Sequence, residues 1–109
     1  MANGSPSRLV SEPDIDRQLT MLHERERRLV LQALLHQEAV TDVSAVVEDD
    51  RIETVLTYEH SHLPQLASAG YIEWRRETGE IARGPRFADV APLLELFEEH
   101  ADELPVDWP

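Results

Sequence analysis

The segment HLPQLASAGYIEW, from His62 to Trp74, changes from helix-type to strand-type residues within four positions, and Gly70 stands at the change. A glycine after a run of apolar helical spacing is the usual left-handed stop of a helix. The residues beyond it, YIEW and then RRETGEIARG, carry strand formers on both sides of Thr78-Gly79, which is a hairpin signal. A helix tied this tightly to a hairpin leaves few folds open.

Upstream, the spacing predicts a helix over 51–69. Ile52, Val55, Leu56, Leu63, Leu66 and Ala67 share one stripe of about 120° and are expected to face the core. Thr54, Thr57, Tyr58, Ser61, Gln65 and Ser68 fall on the opposite face, all uncharged and able to hydrogen-bond. Pro64 lies at the edge of that outer face and is expected to bend the helix. Earlier in the chain, Ile15, Leu19 and Leu22 and then Leu29, Val30, Ala33 and Leu34 recur at helical spacing around the charged run Glu24 to Arg28, predicting one long helix or two collinear pieces. Thr41 and Asp42 can cap a shorter helix through Val43, Val46 and Val47. At the far end, Phe87, Val90, Leu94, Phe97, Ala101 and Leu104 follow at intervals of 3, 4, 3, 4 and 3, the seam of a dimerising helix. Leu93 and Leu96 widen that seam. The expected division is a disordered lead-in over 1–13, one domain over 14–104 with a dimerisation helix at 87–104, and a loose tail over 105–109.

Charge bears on what such a chain can bind. Its formal net charge is -12, and all ten of its basic residues are Arg. An acidic surface without lysine predicts a protein of a halophile, where carboxylates hold water and counterions in concentrated salt. Cysteine is absent, which excludes disulfides and thiolate metal sites. No apolar run approaches the length of a signal peptide or a membrane span, so a cytoplasmic location is expected. The chain also lacks a glycine-rich phosphate loop, a Gly-x-Ser-x-Gly elbow and a His-Glu-x-x-His run, and neither enzymatic activity nor a cofactor is expected. His60 and His62 point about 200° apart on a helix at 100° per residue and cannot share a metal ion. They are expected to border the core and satisfy backbone groups.

The segment from His60 to Gly70, HSHLPQLASAG, together with ERERRLVLQALL in the first helix and the strand start YIEW, resembles the haloarchaeal winged-helix proteins of mostly unassigned function. In these a His-x-His-Leu-Pro-x-Leu-x-x-Ala-Gly segment precedes the wing. The group is related to transcriptional regulators of the arsenic-repressor type. The resemblance implies an α+β winged helix-turn-helix, with three N-terminal helices, a two-stranded wing and a C-terminal helix, and a role in transcription.

On that fold, the outer face Thr54, Thr57, Tyr58, Ser61, Gln65 and Ser68 would read double-stranded DNA, and Arg75, Arg76 and Arg83 on the wing would meet its backbone. A homodimer through the last helix would set two reading helices about 34 Å apart. A second expectation comes from the seven acidic residues and one Arg between Glu38 and His60: a winged helix that binds a basic protein partner instead of DNA. The two differ in where the wing arginines go, beside the outer face or into pairs with Glu73, Glu77 and Glu80.

Overall fold

The computed structural model describes residues 15–46, 51–104 and 108–109. The lead-in expected over 1–13 and Val47 of the short capped helix lie outside the described residues, as does 105–107 of the tail. Helix α1 (Ile15–Leu22) is followed by α2 (Arg25–His36), strand β1 (Ala39–Val40) and a 3₁₀ turn (Val43–Ala45). Next come α3 (Ile52–Thr57), a π turn (Tyr58–His62) and α4 (Leu63–Ser68), then β2 (Ile72–Trp74), β3 (Ile81–Arg83), α5 (Phe87–Glu99) and a second 3₁₀ turn (Ala101–Glu103). The architecture is α+β, with helices around a small antiparallel sheet of strand order β1-β3-β2.

The two pieces expected between Ile15 and Leu34 are separate helices, α1 and α2, rather than one rod. Arg28 reaches back from α2 and its Nη1 donates to the carbonyls of Leu22 and His23, at 2.7 and 3.1 Å. Those groups have no partner inside α1. The cation therefore finishes one helix from the first turn of the next.

The helix-to-strand change forms as expected, through a C-terminal cap. Gly70 has φ of 84°, its N–H bonds to the Ala67 carbonyl at 3.0 Å, and the Tyr71 N–H bonds to the Leu66 carbonyl at 3.1 Å. This pair of bonds, with Tyr71 and Leu66 both buried, is a Schellman cap. A Cβ on Gly70 would also stand 3.0 Å from Cγ of Arg86. The hairpin turns through Gly79, with φ of 86°, and aligns Trp74 with Ile81 and Ile72 with Arg83.

Strand β1 was not expected. It pairs Ala39 with Ala82 and Val40 with Ile81, and two residues are too few to show the alternation by which a strand is read. On the other side of β3, Gly84 packs against the Gly70–Ile72 corner. A Cβ there would come within 2.5 Å of the Gly70 carbonyl oxygen, so the chain can pass only without a side chain.

The core gathers side chains from most of the elements, but α3 contributes no buried residue. Val30, Leu31 and Leu34 of α2, Leu63 and Leu66 of α4, Ile81 of β3, and Val90 and Leu94 of α5 are each 0% exposed. A fully buried aliphatic side chain of this kind contributes about 1.5–3 kcal/mol of transfer free energy. Among the described residues no helix is long and apolar enough to cross a membrane.

Candidate nucleic-acid interface

The helix from Ile52 to Ser68 does not follow the wheel that the sequence suggested. At its centre the N–H of Leu63 bonds to the carbonyl of Tyr58, an i→i−5 bond. A π turn advances the chain by a smaller angle per residue than an α turn does, so positions beyond it fall behind a wheel drawn at 100° per residue. Pro64 accounts for its place. In α geometry the proline ring would clash with the carbonyl four residues earlier, and Pro64 has no N–H to give it. The wider turn just before Pro64 relieves that clash, and the expected bend becomes a change of phase.

The consequence is a rotated face. Leu63 and Leu66 remain in the core at 0% exposure, but Ile52 and Leu56, expected beside them, are 72% and 44% exposed. Tyr58, expected on the outer face, takes their place inside at 1%. Burial raises its phenol pKa to about 12. Of the other residues expected outside, Thr57, Gln65 and Ser68 are exposed, and Thr54 and Ser61 are half-buried. The Thr57 hydroxyl donates to the Glu53 carbonyl at 2.9 Å, leaving its lone pairs as acceptors.

His62 is buried on the inner side of the π turn, edge-on to Tyr58. Its Nδ1 accepts a 3.2 Å bond from Nε of Arg27, so its neighbour is a side chain rather than the backbone group expected. Burial, more than any charge, holds the imidazole below its ordinary pKa; Glu26 and Glu24 act in the opposite direction and Arg27 reinforces it. His60 is exposed. Among the described residues no group of three or more His, Asp or Glu is placed to hold a metal ion.

The wing arginines divide. Arg75 pairs with Glu80 at 3.1 Å while its side chain stays 67% exposed, and Arg76 lies over the Trp74 ring at 4.7 Å. Both remain at the surface. Arg83, expected to contact DNA, turns back instead: Nε donates to the Leu34 carbonyl at 2.6 Å and Nη2 to the Leu35 carbonyl at 3.2 Å. A cation at the negative end of α2 satisfies carbonyls that the helix leaves open, and its guanidinium also covers the Phe87 ring. Arg86 pairs with Asp89 at 2.9 Å in the first turn of α5.

The expected dimer seam is also largely turned inward. Phe87, Val90 and Leu94 are 5%, 0% and 0% exposed within the single chain, because α5 packs on α2. Phe97 and Ala101 are half-buried, as is Leu104, and Phe97 meets the Trp108 ring at 5.3 Å. Trp108 thus packs on the domain, although the tail was expected to be loose. Glu98 binds α5 to α2, accepting from Gln32 at 3.0 Å and from His36 at 2.7 Å. These hydrogen bonds hold its carboxyl below the usual range. On the opposite side, Leu96 is 49% exposed beside Glu95 and Glu99.

What remains at the surface is therefore a helix edge of Ile52, Leu56, Thr57, Gln65 and Ser68, with Arg75 and Arg76 on the hairpin that follows it. Sequence reasoning missed Ile52 and Leu56, and the proline at 64 was the one available sign of a phase change. Comparison with protein-family models, curated proteins and solved structures finds no match to this chain.

Proposed function

We propose that the chain is a winged helix-turn-helix transcriptional regulator of a halophile, acting in the cytoplasm on double-stranded DNA. The observation that carries the reading is the strand order β1-β3-β2, in which a strand after the first long helix joins the hairpin, with the α3–α4 helix between them. That order supports reading α3–α4 as the recognition helix and the β2–β3 hairpin as the wing. On this reading α3–α4 enters the major groove. Gln65 and Ser68 bond base edges or phosphates, and Ile52 and Leu56 supply apolar contact such as that made with thymine methyl groups. Arg75 and Arg76 meet the backbone. Their present partners compete weakly, since an exposed ion pair such as Arg75–Glu80 contributes only about 0–1 kcal/mol.

High salt favours this division of labour. At about 1 M ionic strength the Debye length is about 3 Å, so the acidic body scarcely repels a duplex. The same screening removes most counterion-release affinity, which leaves short-range hydrogen bonds and apolar contacts to hold the complex. A second copy would have to join through Leu93 and Leu96, because Phe87, Val90 and Leu94 are spent inside the chain.

A second reading, a protein-interaction module for a basic partner, is favoured by the Arg75–Glu80 pair and by one further observation. Ile52 and Leu56 stand out on the same helical stretch as Glu53 and Glu59, an apolar pair in an acidic setting. The separating experiment is fluorescence anisotropy on duplex fragments upstream of the protein's own gene in about 2 M KCl, comparing wild type with Arg75→Ala/Arg76→Ala. Saturable binding that the double variant weakens by roughly tenfold or more supports the DNA reading. A folded protein that binds no fragment in that salt or at a tenth of it shifts the assignment to the module.

A further inference from the structure

We infer that a surface groove beside α1, α2 and α4 binds a small monocarboxylate, with the guanidinium of Arg27 as its anchor. Arg27 is 7% exposed. Its Nε donates to His62 Nδ1 at 3.2 Å, and its Nη1 lies 3.4 Å from the Thr20 carbonyl oxygen and 4.0 Å from Met21 Sδ. All of these partners are neutral. Among the described residues no carboxylate is within ion-pair distance of Arg27, and its Nη2 has no acceptor. Glu26 approaches the other nitrogen of His62, at 3.9 Å, not the arginine. A buried guanidinium without an anion is an unusual arrangement, because the desolvated charge is ordinarily paired.

Arg27 does not end in a closed core. Together with Leu19, Thr20, His23, Glu24 and Gln65 it lines an open groove of about 460 Å³, within the range of small-molecule sites. The planar fork of the arginine fits a carboxylate through two parallel bonds, and the amide of Gln65 can donate to the same anion. Leu19, 47% exposed, offers a wall for a short alkyl group. Glu24 sets the charge. It lines the same groove, and His23 is 3.8 Å from its carboxylate, so a singly charged ligand is tolerated better than a phosphate dianion. The site shares Gln65 with the proposed reading face but does not rest on the DNA reading, since it needs only Arg27, Gln65 and Glu24 where they are.

The test is an amide chemical-shift titration of the full chain with potassium isobutyrate, against potassium chloride at matched ionic strength and against inorganic phosphate. Saturable shifts centred on Leu19, Arg27 and Gln65 are expected with isobutyrate. Arg27→Met should weaken binding by roughly tenfold or more, as loss of a charge-assisted pair does. Gln65→Ala, at an exposed position, should weaken it several-fold, and Glu24→Gln should strengthen it. Opposite signs for Gln65→Ala and Glu24→Gln keep the test decisive if Arg27→Met fails to fold. The inference is overturned if isobutyrate gives no saturable shift, if phosphate binds as tightly, or if both surface variants keep the wild-type affinity.

Discussion

Helices α3 and α4 are consecutive stretches of six residues, separated by five in a π turn, yet they serve opposite ends. Helix α4 buries Leu63 and Leu66 completely, whereas α3 has no fully buried residue and exposes Ile52 and Leu56. Each carries aliphatic side chains at helical spacing, Ile52 and Leu56 in α3 and Leu63 and Leu66 in α4, so the apolar pattern does not separate them. The difference is phase. One wide turn, set just before a proline, keeps α4 on the core and rotates the apolar side chains of α3 into solvent. Packing free energy is thereby concentrated in one half of the helix, and the other half is left available for a partner.

The contrast breaks first at α4. Leu66→Ala should lower the unfolding free energy by about 2–5 kcal/mol, the range for emptying a closed aliphatic site, as read by chemical denaturation in high salt. A loss under about 1 kcal/mol, as at surface sites, would mean that α4 is not the packed half. The wing gives the next largest effect. Arg83→Ala should cost about 1 kcal/mol by uncapping α2, while Arg75→Ala leaves stability within about 0.5 kcal/mol. Equal losses would erase the division between a structural and a surface arginine.

The π turn itself can be probed by pH. His62 has a depressed pKa in the folded chain, against an ordinary value of 6.5. It therefore contributes stability that is present above pH 6.5 and is lost as pH falls through the folded value. Protonation at Nδ1 would also set two donors, the imidazolium and Arg27 Nε, against each other. Denaturation curves from pH 7.5 downward should lose stability, and His62→Gln should flatten that slope. An unchanged slope in the variant would place the titration elsewhere, with Glu98 the next group to examine. Glu98 also has a depressed pKa and should destabilise the fold only as acid reaches the carboxylate range.

Much of this architecture was legible in the residues. Gly70 and Thr78-Gly79 marked the cap and the hairpin, because left-handed backbone positions demand particular residue types. The helices α1, α2 and α5 showed their spacing. Other features were hidden for physical reasons. Strand β1 is two residues long, below any period. The inward turn of Phe87, Val90 and Leu94 could not be told from a dimer seam, since an apolar stripe does not say which surface covers it. Ile52, Leu56 and Tyr58 were misassigned because a single π turn shifts the phase between the two halves of a wheel. Arg83 reads as a wing cation until its long-range contact with the end of α2 is seen. Arg27 lay inside a charged run, ERERR, and nothing local distinguishes a buried guanidinium from its solvated neighbours.

The most direct measurement takes the variant Ile52→Ser/Leu56→Ser and compares its unfolding midpoint and its DNA affinity with wild type in about 2 M KCl. Substitution on an exposed face predicts unfolding within about 0.5 kcal/mol of wild type, together with at least a several-fold loss of DNA binding. A large loss of stability with binding unchanged among the folded molecules would contradict the account, placing α3 in the core and the interface somewhere else.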